Sequence, residues 1–175
     1  IQRVSRVGFA VDAGLSILTE ASRRNCELLV VHHGIMWGKQ EPVVGPLARK
    51  MALCLGTGLS LYAAHLPLDG HATLGNAAQL AHHLHALQVE PCFEYKGSPI
   101  GALATLIPDV VARGLDLLIT GEPKQEAYHL AQDMGCSVVC MGHYASETFG
   151  VRALERVLGD TFGVKTEWIS EPTGI

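Results

Sequence analysis

Apolar residues recur along the chain with two different periods, and the alternation between them sets out the elements. Val4 to Val11 (VSRVGFAV) is apolar and β-branched and reads as a strand, while Ser16 to Arg24 carries Ile17, Leu18 and Ala21 on one helical face. Glu27 to Val31 (ELLVV) is a compact apolar run of the kind that buried parallel strands show, and it ends in His32-His33-Gly34. A loop marked by Gly38, Pro42 and Gly45 follows, and Pro46 suits the first turn of a helix reaching Leu55. Leu59 to Ala64 (LSLYAA) is the next strand, ending at His65, with a loop to Thr73 and a helix to Leu87 beyond it.

From Glu90 to Gly101 the pattern weakens, and Gly97 and Pro99 read as breakers. The earlier logic then returns. Val110 to Arg113 is a short helical piece, Leu115 to Ile119 a strand and Glu122 to Met134 a helix. Cys136 to Met141 is a strand, Ser146 to Leu158 a helix and Val164 to Ile169 a last strand. Strands alternating with helices predict an α/β arrangement with a mostly parallel sheet. Residues 1–175 read as a single domain, with a candidate lobe boundary near 95–110.

Composition narrows the function classes. A chain of 175 residues, 48% hydrophobic and 17% charged, is globular and long enough to bury about 70% of its unfolded surface without a metal or disulfide staple. Seventeen acids against 13 bases give a formal net charge of −4, with no basic run longer than a pair such as Arg23-Arg24. That disfavours a nucleic-acid binder, which would carry a basic stripe. Five cysteines, an odd number without a Cys-x-x-Cys pair, read as reduced and mostly buried thiols. Met51 to Leu68 carries no formal charge, but Gly56-Thr57-Gly58, His65 and Pro67 interrupt it as a membrane span. With no signal-peptide pattern at the start, a soluble cytoplasmic protein is expected.

Nine histidines are the remaining oddity, and they fall at telling places. The strand at 27–31 runs into His32-His33, that at 59–64 into His65 and Asp69, that at 115–119 into Thr120-Gly121-Glu122, and that at 136–141 into Gly142-His143 with Glu147 beyond. In open α/β sheets, ligands sit outside the carboxyl ends of the strands. His143 and Glu147, spaced i and i+4, share one face of a helix's first turn. His65 and Asp69 have the same spacing, but Pro67 between them predicts a loop. Adjacent histidines on a continuing strand face opposite ways, whereas a turn freed by Gly34 lets both converge. Mixed nitrogen and oxygen donors without a thiolate suit Zn, Mn, Fe, Co or Ni. Five or more such donors exceed one tetrahedral site and match a pair of cations about 3.5–4 Å apart.

Taken singly, each group has an ordinary reading. The histidine pair fits a solvated turn, His65 and His143 fit strand-end caps, Asp69 a loop acid, and Glu122 and Glu147 first-turn helix acids favoured by the dipole. It is their joint position that points to a site. His82, His83 and His85 lie on a helix whose apolar face is Ala77, Leu80, Ala81, Leu84 and Leu87, and read as a solvated surface group. Cys136 and Cys140 straddle a strand and read as core. Trp37 and Tyr144 flank the donor motifs, as core residues or as walls of a pocket.

Leu28 to Trp37 (LLVVHHGIMW), Leu61 to Asn76 (LYAAHLPLDGHATLGN) and Ile119 to Val151 (ITGEPKQEAYHLAQDMGCSVVCMGHYASETFGV) resemble the signatures of the NIF-three-like family, many of whose members are named GTP cyclohydrolase I type 2 homologues. The resemblance implies two interlocked α/β lobes and a homohexamer built from dimers. It also implies two divalent metal ions held by His32, His33, Asp69, His143 and Glu147, with His65 and Glu122 beside them as proton-transfer candidates. The chain departs from the family in two places. Little sequence precedes its first strand, and the span from Phe93 to Leu115 is shorter than the family's between the corresponding motifs.

The expected function is a metal-dependent hydrolase of the cyclohydrolase kind, in which a metal-bound hydroxide attacks C8 of a purine nucleotide such as GTP. Two alternatives stand beside it. A phosphoesterase would have Lys39, Lys96 or Lys124 lining the cavity, and a non-catalytic metal-binding ring would act as a scaffold or bind a partner.

Overall fold

Residues of the first two strands alternate between two buried sides, the condition for helices to cover both faces of a sheet. The computed structural model describes residues 3–36, 42–95, 97–105, 117–122 and 125–174. In chain order its elements are β1 (Arg6–Asp12), α1 (Leu15–Arg23), β2 (Leu28–His33), α2 (Gly45–Thr57), β3 (Ser60–Ala63), α3 (Leu66–Asp69) and α4 (Asn76–His83), then β4 (Leu87–Tyr95), β5 (Ser98–Thr105), β6 (Leu117–Thr120), α5 (Gln125–Met134), β7 (Ser137–Cys140), α6 (His143–Phe162) and β8 (Lys165–Trp168). Four strands form a sheet ordered β3-β2-β1-β8, every neighbouring pair parallel. A second parallel pair is β6–β7, and β4–β5 is an antiparallel hairpin. The mixed α/β architecture with parallel sheets is the one the alternating pattern predicts.

The two faces of the central sheet bury different sets. On one, Ala10, Leu29 and Val31 pack with Ile17, Leu18 and Ala21 of α1, and Leu53 and Cys54 of α2 join them. On the other, Val7, Phe9 and Val30 pack with Val151 of α6 and with Leu68 of α3. The period of two along β2 thus turns Val30 toward α6, and His32, two residues on, follows it. This parity carries the first histidine to the helix that bears His143 and Glu147.

Four details differ from the sequence-based expectation. The weak stretch from Glu90 to Gly101 belongs to the β4–β5 hairpin. Pro91 pairs with Ala102 and Glu94 with Pro99, and in a two-stranded ladder both strands are edges, where proline is tolerated. Helix α4 stops at His83 rather than Leu87, because His85 adopts a left-handed backbone (φ 53°) and the chain turns into β4. The segment between His65 and Asp69 is a one-turn helix, α3, not a loop: Pro67 sits in the first turn, where a missing N–H costs nothing. Finally, α6 begins at His143, three residues before the expected Ser146.

Cys26 is buried, but Cys140 is exposed, against the reading of it as core, since β7 lies in a two-stranded sheet that leaves it uncovered. His82, His83 and His85 are exposed. The expected helix at 110–113 and residues Trp37, Lys39, Lys96 and Lys124 lie outside the described residues. Among the described residues no helix is long and apolar enough to cross a membrane.

Candidate metal centre

The carboxyl ends of β1, β2 and β3 and the start of α6 meet on one side of the central sheet, with the β6–α5 connection at the rim. β2 delivers His32 and His33 while still in strand geometry, and their rings converge to 4.8 Å between centroids with planes tilted by 59°. Gly34 contributes by close approach and not by an unusual φ. A Cβ on it would stand 2.8 Å from the Cβ of Ala63, so only glycine lets β2 pass the end of β3 here.

His32 is fully buried, and its Nδ1 lies 3.0 Å from the carbonyl oxygen of Ala64. A carbonyl only accepts, so Nδ1 carries a proton and Nε2 is the ring nitrogen turned to the cluster. His32 Nε2 faces Asp69 Oδ2 at 3.4 Å and Glu147 Oε1 at 3.6 Å. One imidazole nitrogen and two carboxylate oxygens therefore converge, the kind of donor set that a divalent cation takes. His32 Nε2 and Glu147 Oε2 are both buried without a hydrogen-bond partner. Leaving buried polar atoms unpaired is costly, and a cation would satisfy them.

Glu147 stands at the middle of the cluster. Its Oε1 lies 3.1 Å from His143 Nε2, the i,i+4 pair on the first turn of α6, and its Oε2 lies 3.4 Å from His33 Nε2. His33 Nδ1 lies 2.9 Å from Asp12 Oδ1 on the neighbouring strand. The Glu147 carboxylate raises the pKa of His33 to about 9 against the opposing effect of burial, and Asp12 adds to the rise. His65 packs edge-on against both other rings, 4.8 Å from His32 and 5.0 Å from His33. Burial, together with the two neighbouring imidazoles, holds its pKa below the ordinary histidine value.

Asp69 closes the buried end. Burial works to raise its pKa, but contact with His32 and the amide of Asn76 outweighs burial and keeps it below the ordinary value. At the open end, Glu122 meets His143 Nδ1 through its Oε1, and these two side chains are 57% and 44% exposed against 15% for Glu147. The cluster thus runs from a closed pole at His32 to an open one at His143 and Glu122.

All seven residues singled out from the sequence (His32, His33, His65, Asp69, Glu122, His143 and Glu147) meet in this cluster. His32, His33 and His65 have donor atoms close enough together to hold one cation, as do His33, His143 and Glu147, with all atoms of each group within 4.8 Å of one another. Tyr144 is core: its hydroxyl accepts from the Glu171 N–H at 3.1 Å and contacts Ser170 Oγ at 3.3 Å, tying down the C-terminal segment. Two participants escaped the sequence reading. Asp12 is the last residue of β1, one past the apolar run, and Asn76 lies within the HLPLDGHATLGN stretch without a chemistry of its own to mark it.

Comparison with known proteins agrees with this picture. The family description Duf34/NIF3 (NGG1p interacting factor 3) matches residues 1–106 and 99–173. A GTP cyclohydrolase 1 type 2 homolog from Pyrococcus horikoshii is 37% identical, covering 99% of this chain and 87% of the relative. The one from Halobacterium salinarum is also 37% identical, covering 98% and 86%. The first alignment extends over 218 positions, more than the 175 residues here, so that relative carries an internal stretch this chain lacks. The crystal structure of TTHA1606 from Thermus thermophilus superposes with a TM-score of 0.84 at 33% identity, covering 100% of this chain and 87% of that one. With most of its length matched, a fold shared and a histidine–carboxylate cluster at the strand ends, the chain belongs to the Duf34/NIF3 family.

Proposed function

We propose that the cluster holds two divalent cations, of Zn, Fe, Mn, Co or Ni, and that the protein is a metal-dependent hydrolase of the GTP cyclohydrolase kind acting on a purine nucleotide. The observation that carries the metal reading is the buried His32 Nε2, which faces two carboxylate oxygens at 3.4 and 3.6 Å and makes no hydrogen bond. His32, Asp69 and Glu147 would hold one ion, and His33, His143 and Glu147 the other. Such ions would supply Lewis-acid polarisation of the substrate and make water acidic enough to react near neutral pH.

The chain's own residues supply the rest. The Ala64 carbonyl and the Asp12 carboxylate hold the Nδ1 protons of His32 and His33, so both imidazoles turn Nε2 toward Glu147. His65, whose pKa lies below the ordinary value, is neutral at pH 7 and able to accept a proton between the two ligand imidazoles. Glu122, exposed and in contact with His143 Nδ1, can exchange a proton with solvent at the open end. The purine substrate is taken from the name the relatives carry. By the family resemblance, the same proposal has the chain assemble as a cytoplasmic homohexamer built from dimers.

The test is turnover. Metal-loaded protein is incubated with GTP and, separately, with bis(p-nitrophenyl) phosphate, each beside a His33→Ala control. Ring-opened product from GTP above the control supports the proposal. Cleavage of the diester alone replaces it with a phosphoesterase, and turnover of neither leaves a metal-binding scaffold. Light scattering that reports a monomer refutes the assembly.

A further inference from the structure

Asn76, the first residue of α4, joins two elements of the cluster through opposite ends of one amide. Its Nδ2 donates to Asp69 Oδ1 at 2.9 Å, and its Oδ1 accepts from the backbone N–H of Gly150 at 2.7 Å. The amide can satisfy both partners in one orientation only, because a carboxylate must accept and an N–H must donate. With Oδ1 of Asp69 engaged, Oδ2 is the oxygen left to face His32 Nε2 at 3.4 Å. Gly150 lies on α6, three residues beyond Glu147. A Cβ on it would stand 3.0 Å from Asn76 Oδ1, so the glycine lets the start of α4 sit against this helix.

We propose that Asn76 is a positioning residue for the metal centre: its amide selects which oxygen of Asp69 is offered to a cation and ties that carboxylate to the helix that bears His143 and Glu147. The inference rests on the metal reading of the site. It assigns Asn76 no contact with metal or substrate, since both polar ends of its side chain are already engaged. Nor is Asn76 the sole tie between α4 and α6. Arg156 donates to Gln79 Oε1 at 2.8 Å, and the His83 ring packs edge-on against Phe149 at 5.3 Å. Variants at position 76 are therefore expected to fold.

Asn76→Asp is the informative substitution. It keeps an acceptor for the Gly150 N–H, removes the donor to Asp69 and sets a second negative charge beside it. Purified apo protein is titrated with Co²⁺ by calorimetry, and the visible absorption of bound Co²⁺ is recorded. The expected result is a loss of about 10–100-fold in affinity for at least one equivalent, with a changed Co²⁺ spectrum, while the melting temperature of the apo protein stays near wild type. Wild-type affinity and spectrum in Asn76→Asp overturn the inference and leave Asn76 a packing residue. Wild-type protein that takes up no Co²⁺ overturns the metal reading, and this inference with it. Should Asn76→Asp not yield folded protein, Asn76→Ser, which leaves a hydroxyl too short to span both partners, is judged by the same two outcomes.

Discussion

Asp12 stands opposite His33 in the β1–β2 register, and its Oδ1 lies 2.9 Å from His33 Nδ1. The carboxylate fixes the proton on Nδ1, orients the ring and makes Nε2 the better electron-pair donor. Asp12→Asn keeps the shape but offers an amide that can turn its NH₂ toward the ring, weakening the hold on that tautomer. A loss of about 10–100-fold in divalent-cation affinity is expected, with little change in the melt of the apo protein because Asp12 is partly exposed. Calorimetric titration of wild type and variant decides the matter. Equal affinities would show that His33 needs no carboxylate behind it.

Glu147 touches three imidazoles, whereas His143 touches Glu147 and Glu122 at the open end. The two should therefore differ when removed. Elemental analysis of wild-type protein is expected to find about two divalent ions per chain, the number that suits a paired site. His143→Ala is expected to lose at least one of them, and Glu147→Gln to lose more than His143→Ala does. Equal and full occupancy in all three proteins would refute the ligand assignment.

The strand ends were legible in the sequence because two physical regularities coincide there. Buried parallel strands read as unbroken apolar runs, and the polar residues that end those runs gather on one side of the sheet. That places His32, His33, His65 and His143 without any knowledge of tertiary contacts. Asp12 was not legible for the converse reason. It follows an apolar run like any solvated acid, and its meaning comes from cross-strand register with a residue 21 positions away. Asn76 depends on the docking of α4 against α6, 74 residues apart in the chain, and amide side chains carry no pattern that reports such a contact. The β4–β5 hairpin was hidden by its prolines, which signal breaks in a sheet interior but are at home on edges.

Glu20 sets the acid limit of one part of the fold. Its oxygens accept from Arg23 Nε at 2.7 Å and Nη2 at 2.8 Å and from Arg24 Nε at 2.8 Å, while Arg24 also reaches the Trp168 carbonyl on β8. The hydrogen bonds from Arg23, then those from Arg24, lower the Glu20 pKa to about 2 from an ordinary 4.5. A depressed folded-state pKa means the unfolded chain takes up the proton first as the pH drops. The stabilising contribution is therefore complete above about pH 4.5 and fades as the pH falls toward 2. Wild type should melt above Glu20→Gln at pH 6, and the gap should narrow steadily down to pH 2.5. Because the group is exposed, added salt should shrink the gap as well. A gap that is constant with pH would mean the carboxylate's charge does not contribute.

Gly75 and Gly56 make opposite predictions from the same substitution. A Cβ on Gly75 would stand 2.5 Å from the carbonyl oxygen of Asp69, 2.7 Å from that of His71 and 2.9 Å from that of Leu68. All three are backbone atoms, so no side-chain rotation relieves the clash, and the turn between α3 and α4 has to move. Gly75→Ala is expected to cost about 1–3 kcal/mol, the range for overpacking. It should also shrink the rise in melting temperature that added Co²⁺ gives, because the displaced turn carries Asp69. Gly56 lies inside α2 with nothing within 4 Å of the added carbon, so Gly56→Ala should stabilise by about 0.5–1 kcal/mol through helix propensity alone. Thermal melts with and without Co²⁺ separate the two effects. If Gly75→Ala lowered the apo melt but left the Co²⁺-induced rise intact, the α3–α4 turn would serve stability and not the metal centre.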